Sequence, residues 1–253
     1  MKNDQDSRQT QAIQEKEYVF PYHHLVQRKP DIELFRSWPG GLTYLFTQDL
    51  IMSKLRSLDF ESLIDIGCGD GKIAMEILKE FPGKTVCGVD YSHKAIAWAQ
   101  LLEPQINFYA QDISQQQLEK QFDIGCLVEV IEHIPTTDLP EFLRAVASTI
   151  KNNGHLIVTV PHRNAPKPRK HFQHFTKQSL ANAMSERFTL KEMLHINKKP
   201  STYTRWLMRV LRNRFCMVTH PSITKLLYNK LRSHLQISTE DKANGLLGVF
   251  QKI

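Results

Sequence analysis

The sequence predicts an α/β fold: a seven-stranded, mostly parallel sheet with helices on both faces and a helical insertion between the last two strands. Three observations predict it. Five short apolar runs between residues 62 and 160 alternate with helix-spaced stretches. A glycine-rich bend follows the first of them. Two later strand-like runs, 188–196 and 245–252, are separated by a long basic segment.

The elements follow in order. Residues 1–17 are polar and read as a disordered tail, and 18–41 as an ordered, irregular lead-in with Tyr18, Tyr22, His23 and His24. That lead-in is either ordinary packing or a cover over a ligand crevice. Pro39-Gly40-Gly41 breaks the chain before a helix over 42–58, where Leu42, Leu45, Phe46, Leu50, Ile51 and Leu55 recur at helical spacing. Strands are expected at Ser62–Ile66, 85–89, 106–109, Phe122–Val128 and 155–160. Helices are expected at 73–81, 94–102 with Ser92 as N-cap, and 138–150, stopped by Asn152-Asn153-Gly154. Phe122–Val128 is nearly all apolar, as a strand covered on both faces should be. The core is thus 42–196 with 245–253, and 197–244 is a basic helical insertion.

Composition bounds the rest. At 253 residues, 41% hydrophobic and 23% charged, the chain can bury a core without metal or disulfide staples. Cys68, Cys87, Cys126 and Cys216 form no C-x-x-C pair, and three lie in apolar runs, so they read as small buried hydrophobes in a reducing compartment. No run is long enough to span a bilayer and residues 1–16 lack a signal-peptide apolar stretch, so the expected address is cytoplasmic. The net charge of +7 is concentrated: residues 197–244 hold ten Lys or Arg against Glu240 and Asp241. A solvated basic face and a surface for an anionic partner are both consistent with that.

The chemistry centres on Leu63-Ile64-Asp65-Ile66-Gly67-Cys68-Gly69-Asp70-Gly71. Glycines let a chain turn sharply from strand to helix and let a ligand approach the backbone. A dinucleotide fingerprint needs glycine three residues after the second one, where Lys72 stands. The acid at Asp65 suits an ammonium group better than a pyrophosphate. Asp90 closes the second strand, where an acid can bond ribose hydroxyls, and Asp112 follows the third. One such acid can be a helix cap; three at successive strand ends beside a glycine bend predict one ligand crevice.

This set of residues resembles the class I S-adenosylmethionine-dependent methyltransferases, with a Rossmann-like core, and especially the subgroup related to ubiquinone-pathway O-methyltransferases. The resemblance covers about 58–196. It implies S-adenosyl-L-methionine as cofactor. Asp65, Gly67, Cys68, Gly69 and Gly71 would then hold its methionine part, Asp90 the ribose with Tyr91 against the adenine, and Asp112 the adenine amine with Ile113 packed on the ring.

Leu127-Val128-Glu129-Val130-Ile131-Glu132-His133-Ile134-Pro135 matches the same subgroup. By position Glu129 faces the cofactor, and His133 either accepts a proton from a hydroxyl acceptor or orients the loop. No metal is expected in the leading reading. In the alternative, Glu129, Glu132 and His133 with His174 or His171 ligate a divalent ion. That E-x-x-E-H spacing resembles the small-RNA 3′-terminal 2′-O-methyltransferases. Lys170-His171-Phe172-Gln173-His174-Phe175-Thr176 is similar to their later His motif but lacks its acid and tryptophan. An H-F-T step also opens a helix in plain small-molecule methyltransferases, with Thr176 as N-cap. The loop from Pro161-His162-Arg163-Asn164 to Lys170 would border the substrate mouth.

In the insertion, 203–215 reads as a basic amphipathic helix. Tyr203, Trp206, Leu207, Val210 and Leu211 form one stripe and Arg205, Arg209 and Arg212 another. Ile223, Leu226, Leu227 and Leu231 suggest a second helix. Such helices either pack on the core or meet an anionic surface, and nucleic acid is not excluded as a partner. The expected function is O-methylation of a small-molecule or lipid-linked acceptor. The alternatives are a metal-assisted RNA ribose 2′-O-methyltransferase and a non-catalytic cofactor-binding subunit.

Overall fold

The computed structural model describes residues 11–13, 15–16, 26–28, 32–34, 40–211 and 220–253. Tyr18, Tyr22, His23, His24, Arg212 and Cys216 lie outside the described residues.

Strands β1 (Val26–Arg28) and β2 (Ile32–Leu34) form a small antiparallel ladder within the expected irregular lead-in. Residues 11–13, 15 and 16, in the stretch expected as tail, are helical. The main elements follow: α1 (Gly40–Leu55), β3 (Ser62–Ile66), α2 (Lys72–Glu80), β4 (Thr85–Asp90), α3 (His93–Leu102), β5 (Asn107–Ala110), β6 (Phe122–Val128), α4 (Leu139–Ser148), β7 (Ile150–Pro161), α5 (Lys177–Met184), β8 (Phe188–Lys198), α6 (Thr202–Leu211), α7 (Pro221–Leu235) and β9 (Ala243–Lys252).

Seven strands make one sheet in the order β5-β4-β3-β6-β7-β9-β8. Each ladder among β3 to β7 is parallel, and β9 runs antiparallel to both its neighbours, β7 and β8. This is the Rossmann-like, mostly parallel sheet that the alternating pattern predicted. Because side chains alternate along a strand, β3 divides its apolar residues between two cores. Ile64 and Ile66 pack with Phe142, Val146, Leu180 and Met184 of α4 and α5. Leu63 packs with Ile51, Leu55, Ile77 and Ala99 of α1, α2 and α3. Both faces are therefore covered, and each fully buried Leu or Ile contributes about 1.5–3 kcal/mol.

Local signals behave as their chemistry requires. Ser92 accepts a 3.2 Å hydrogen bond from the Ala95 N–H and caps α3. Thr176 and Ser179 form a reciprocal capping box at α5. Cys68, Cys87 and Cys126 are buried and free. One expectation fails: Asn152-Asn153-Gly154 does not stop the preceding helix, which already ends at Ser148. These residues lie inside β7, where Asn153 takes φ 62° and the β6–β7 register shifts between Phe122 and Ile124. They form a bulge that realigns the strand rather than a helix terminus.

The insertion attaches through the side of α1 turned away from the sheet. Leu42, Leu45 and Phe46 pack against Met208, Tyr228, Leu231 and Leu235. The Tyr228 hydroxyl donates a 2.5 Å hydrogen bond to Asp49, and Arg232 lies 3.4 Å from the same carboxylate.

Candidate active site

The carboxyl ends of β3, β4, β5 and β6 all open on one edge of the sheet, and the turns leaving them build the site. After β3 the chain bends through Gly67, Gly69 and Gly71, at φ 72°, 53° and 79°. Such values favour glycine. A Cβ on Gly67 would lie 2.5 Å from Val130 Cγ2, and one on Gly71 2.7 Å from Phe108 Cζ. The Gly67 and Cys68 N–H groups donate to the Val89 carbonyl at 2.7 and 3.1 Å.

Asp90 ties this bend to the next. Its carboxylate accepts the Gly69 N–H and the Ser92 N–H, each at 2.9 Å. Asp112 accepts the Ser114 N–H at 2.9 Å and the Gln115 amide at 3.1 Å. Both acids therefore also organise their own turns.

Two cavities meet at the bend. The larger, about 510 Å³, is lined by Asp90, Tyr91, Asp112, Ile113, His133 and Phe142. The smaller, about 240 Å³, is lined by Tyr44, Gln48, Asp65, Cys68, Asn197 and Asn244. Gly67 and Glu129 line both. Asp65 thus stands in the smaller compartment, and Asp90 and Asp112 in the larger one. Gly69 and Gly71 line neither, and act through the shape of the bend.

Asp65 is buried, and its Oδ2 has no hydrogen-bond partner among the described residues. Burial raises its pKa from 3.8 to about 7, assisted by the charges of Asp90 and Asp70 and opposed by the Ala74 N–H. A buried acid with one orphan oxygen beside a cavity suits a cationic donor.

The segment after β6 holds a second charged cluster. Glu129 has φ 55°, strained for a non-glycine residue, and accepts a hydrogen bond from Thr159 Oγ1 at 3.2 Å. Burial raises its pKa to about 7. A 3₁₀ turn, Ile131–His133, follows. Glu132 is wholly buried with both oxygens unpartnered among the described residues; burial, then the charge of Glu129, raises its pKa well above the usual range.

His133 Nδ1 lies 3.1 Å from the Lys170 carbonyl. A carbonyl only accepts, so Nδ1 carries the proton of the neutral ring and Nε2 the lone pair. His171 meets His133 edge-to-face, with centroids 4.7 Å apart, and its Nδ1 lies 2.9 Å from His174 Nε2. Burial, then His133 and His174, push the His171 pKa down to about 3, so its ring is neutral at physiological pH. Glu132, His133 and His171 offer ligand atoms all within 4.8 Å of one another. His171, rather than His174, is therefore the second imidazole of this group, and His174 stands behind it.

Several lining residues carried no motif. Gln48 Oε1 and Asn197 Oδ1 are buried without hydrogen-bond partners among the described residues, and Asn197 Nδ2 donates to Thr47 Oγ1 at 3.0 Å. The available signal was the polar run Thr47-Gln48-Asp49 interrupting an apolar helix.

A methyltransferase-domain profile matches residues 31–228. The ubiquinone biosynthesis O-methyltransferase of Ralstonia nicotianae is 32% identical over 109 residues, 41% of this chain and 44% of that protein. The protein of that description from Yersinia enterocolitica is 25% identical over 209 residues, 78% of this chain and 77% of its own length. The chain spans about half the length of several such curated relatives. Among solved structures, N-methyltransferase NodS from Bradyrhizobium japonicum in complex with S-adenosyl-L-homocysteine superposes with a TM-score of 0.55 at 17% identity, over 83% of this chain and 86% of that one. MccD protein superposes with a TM-score of 0.56 at 16% identity, over 82% and 96%. These superpositions establish a shared fold.

Proposed function

The chain belongs to the methyltransferase-domain family, and from that premise we propose that it transfers a methyl group from S-adenosyl-L-methionine to a hydroxyl of a small-molecule or lipid-linked acceptor. The observation that carries this reading is the buried Asp65 carboxylate, with one oxygen unpartnered, at a glycine bend whose Gly67 lines two neighbouring cavities.

The residues present fit this cofactor. Asp65 would hold the ammonium of its methionine part, Asp90 the ribose hydroxyls, and Asp112 with Ile113 and Tyr91 the adenine. A side chain at Gly67 would collide with Val130, so a bare backbone is required where the two cavities meet. When bound, the cofactor supplies a methyl group on a positively charged sulfur. The protein's part is to align the acceptor oxygen in line with it and to exclude water. Glu129, which lines both cavities, would face that position. His133 would take the acceptor's hydroxyl proton on Nε2, with the Lys170 carbonyl fixing the ring from the other side. The ubiquinone-pathway relatives support oxygen as the methylated atom.

A second reading rests on Glu132, whose two buried oxygens have no hydrogen-bond partner among the described residues. Glu132, His133 and His171 would hold a divalent cation, and His174 would accept the Nδ1–H of His171.

Calorimetry with S-adenosylhomocysteine and turnover on labelled cofactor test both. His133→Ala is expected to lower turnover about 10²–10⁴-fold and cofactor affinity far less. Normal turnover in that variant removes His133 as the base. Activity abolished by a chelator and restored by a divalent salt selects the second reading.

A further inference from the structure

We propose that His162, His195 and Glu240 form a binding site for a divalent cation of the zinc type at the base of the inserted lobe. None of the three lines either cavity of the crevice, so the proposal does not depend on the roles given to Asp65 or His133.

The three residues come from separate parts of the chain. His162 follows the end of β7, His195 lies in β8 just before the insertion, and Glu240 opens a 3₁₀ turn just before β9. Because β9 pairs with both β7 and β8, these strand ends meet. Two contacts hold Glu240 against the histidines. The Ser238 N–H donates to the His195 carbonyl at 2.8 Å, and Asn164 Nδ2 donates to the Glu240 carbonyl at 2.8 Å. His162, His195 and Glu240 each offer one ligand atom, and these atoms all lie within 4.8 Å of one another. Zinc at about 2.0–2.1 Å from each would draw tetrahedral ligands to about 3.4 Å apart. The exposed side chain of Glu240 can swing inward to close that difference.

Ring packing alone leaves this cluster unsatisfied. His162 is wholly buried and meets His195 edge-to-face, with centroids 5.7 Å apart. Yet Nε2 of His162 and Nε2 of His195 are both buried without a hydrogen-bond partner among the described residues. Buried polar atoms in that state are costly. One cation would satisfy both nitrogens, and the Glu240 carboxylate would offset part of its charge. The Asn164 N–H reaches His162 Nδ1 at 3.3 Å, so the proton of the metal-free neutral ring sits on Nε2, a donor with no acceptor. Ligation through Nε2 needs the other neutral tautomer, with the proton on Nδ1, and the Ala243 carbonyl beside the ring can accept it.

The donor set selects the ion. Magnesium and calcium take oxygen ligands, whereas two imidazoles and a carboxylate suit zinc, with water in the fourth position. Such an ion would clip together the two ends of the insertion and close a stretch of about forty-five residues. Asn197 and Asn244, which line the smaller cavity, lie just beyond His195 and Glu240 along β8 and β9. The clip would therefore steady one wall of that cavity.

Calorimetric titration of the chelator-stripped full chain, without a polyhistidine tag, with zinc alone tests this. The chain is expected to bind zinc, and a large excess of magnesium should not displace it. His195→Gln and Glu240→Gln should each weaken zinc binding about tenfold or more. His171→Gln, which disables the group formed by Glu132, His133 and His171, should leave this binding in place. Zinc should raise the urea midpoint of the parent and not that of Glu240→Gln. In chelator, Glu240→Gln and the parent should bind S-adenosylhomocysteine alike, which checks that the variant is folded. Absence of zinc binding at micromolar concentrations, equal displacement by magnesium, or an unchanged urea midpoint in the parent overturns the proposal. So does zinc binding that survives both His195→Gln and Glu240→Gln, or that is lost in His171→Gln alone, which would assign the ion to the crevice.

Discussion

Asp65 should make both the stability of the fold and its affinity for the cofactor depend on pH, with opposite signs. Burial raises its pKa from 3.8 to about 7 in the folded chain. A raised folded value means that the protonated form is favoured. The contribution to stability is fully present below about pH 4 and is lost as pH rises toward 7. At 1.36 kcal/mol per unit, a shift of about three units corresponds to about 4 kcal/mol above pH 7. Asp65→Asn escapes that loss. Its stability relative to the parent should rise between about pH 4 and 7 and then level off, in urea melts at a series of pH values.

The ligand reverses the preference. An ammonium placed at Oδ2 favours the carboxylate, so binding should release a proton below about pH 7. Each unit of acidification should then cost up to about tenfold in affinity for S-adenosylhomocysteine. Calorimetry at about pH 5.5 and 8, in buffers of different ionisation enthalpy, reads both affinity and proton release. Glu129 also titrates near 7, and Asp65→Asn separates the two: it should bind weakly and with a much shallower pH slope. An unchanged dissociation constant across this range in the parent chain would refute the argument, as would an Asn variant that keeps the full slope.

Three further outcomes follow from contacts already described. Gly67→Ala should destabilise the fold by about 1–3 kcal/mol, because φ of 72° and the Val130 contact both oppose a Cβ, and should abolish cofactor binding in the same calorimetric assay. Asp90→Ala leaves the buried Gly69 and Ser92 N–H groups without their acceptor. A loss of about 1–3 kcal/mol for each, read by chemical denaturation, should accompany at least about tenfold weaker S-adenosylhomocysteine binding. Tyr228→Phe removes a buried hydrogen bond to Asp49. It should cost about 1.5–3 kcal/mol, and limited proteolysis should then cut the lobe before the core.

The alternation of strands and helices was legible because a parallel sheet covered on both faces imposes a strong rule. β3, β4 and β6 are near-continuous apolar runs, and each is followed by a turn and an amphipathic helix. Asn152-Asn153-Gly154 misled for a physical reason: residues that end helices also tolerate the left-handed backbone of a bulge, and φ of 62° at Asn153 satisfies either role. The acids at strand ends were legible as neighbours. Their division between two compartments was not, because it depends on α1, which contributes Tyr44 and Gln48 from a helix with no motif. The choice of His171 over His174 was equally hidden, since both lie in one short loop and only packing against His133 separates them.

The position of β9 constrains how the chain can assemble. This strand lies between β7 and β8, bonded to both, yet emerges from the ribosome after every other strand of the sheet. β7 and β8 cannot join directly without closing the slot it must enter. Until β9 arrives, one edge of β7 is bare and β8 has no ladder partner in this sheet. Loop closure across about ninety residues should make that step slow. Over the same interval α6 and α7 have already been made, so the lobe can settle on Leu42, Leu45 and Phe46 of α1 before the sheet behind it is finished.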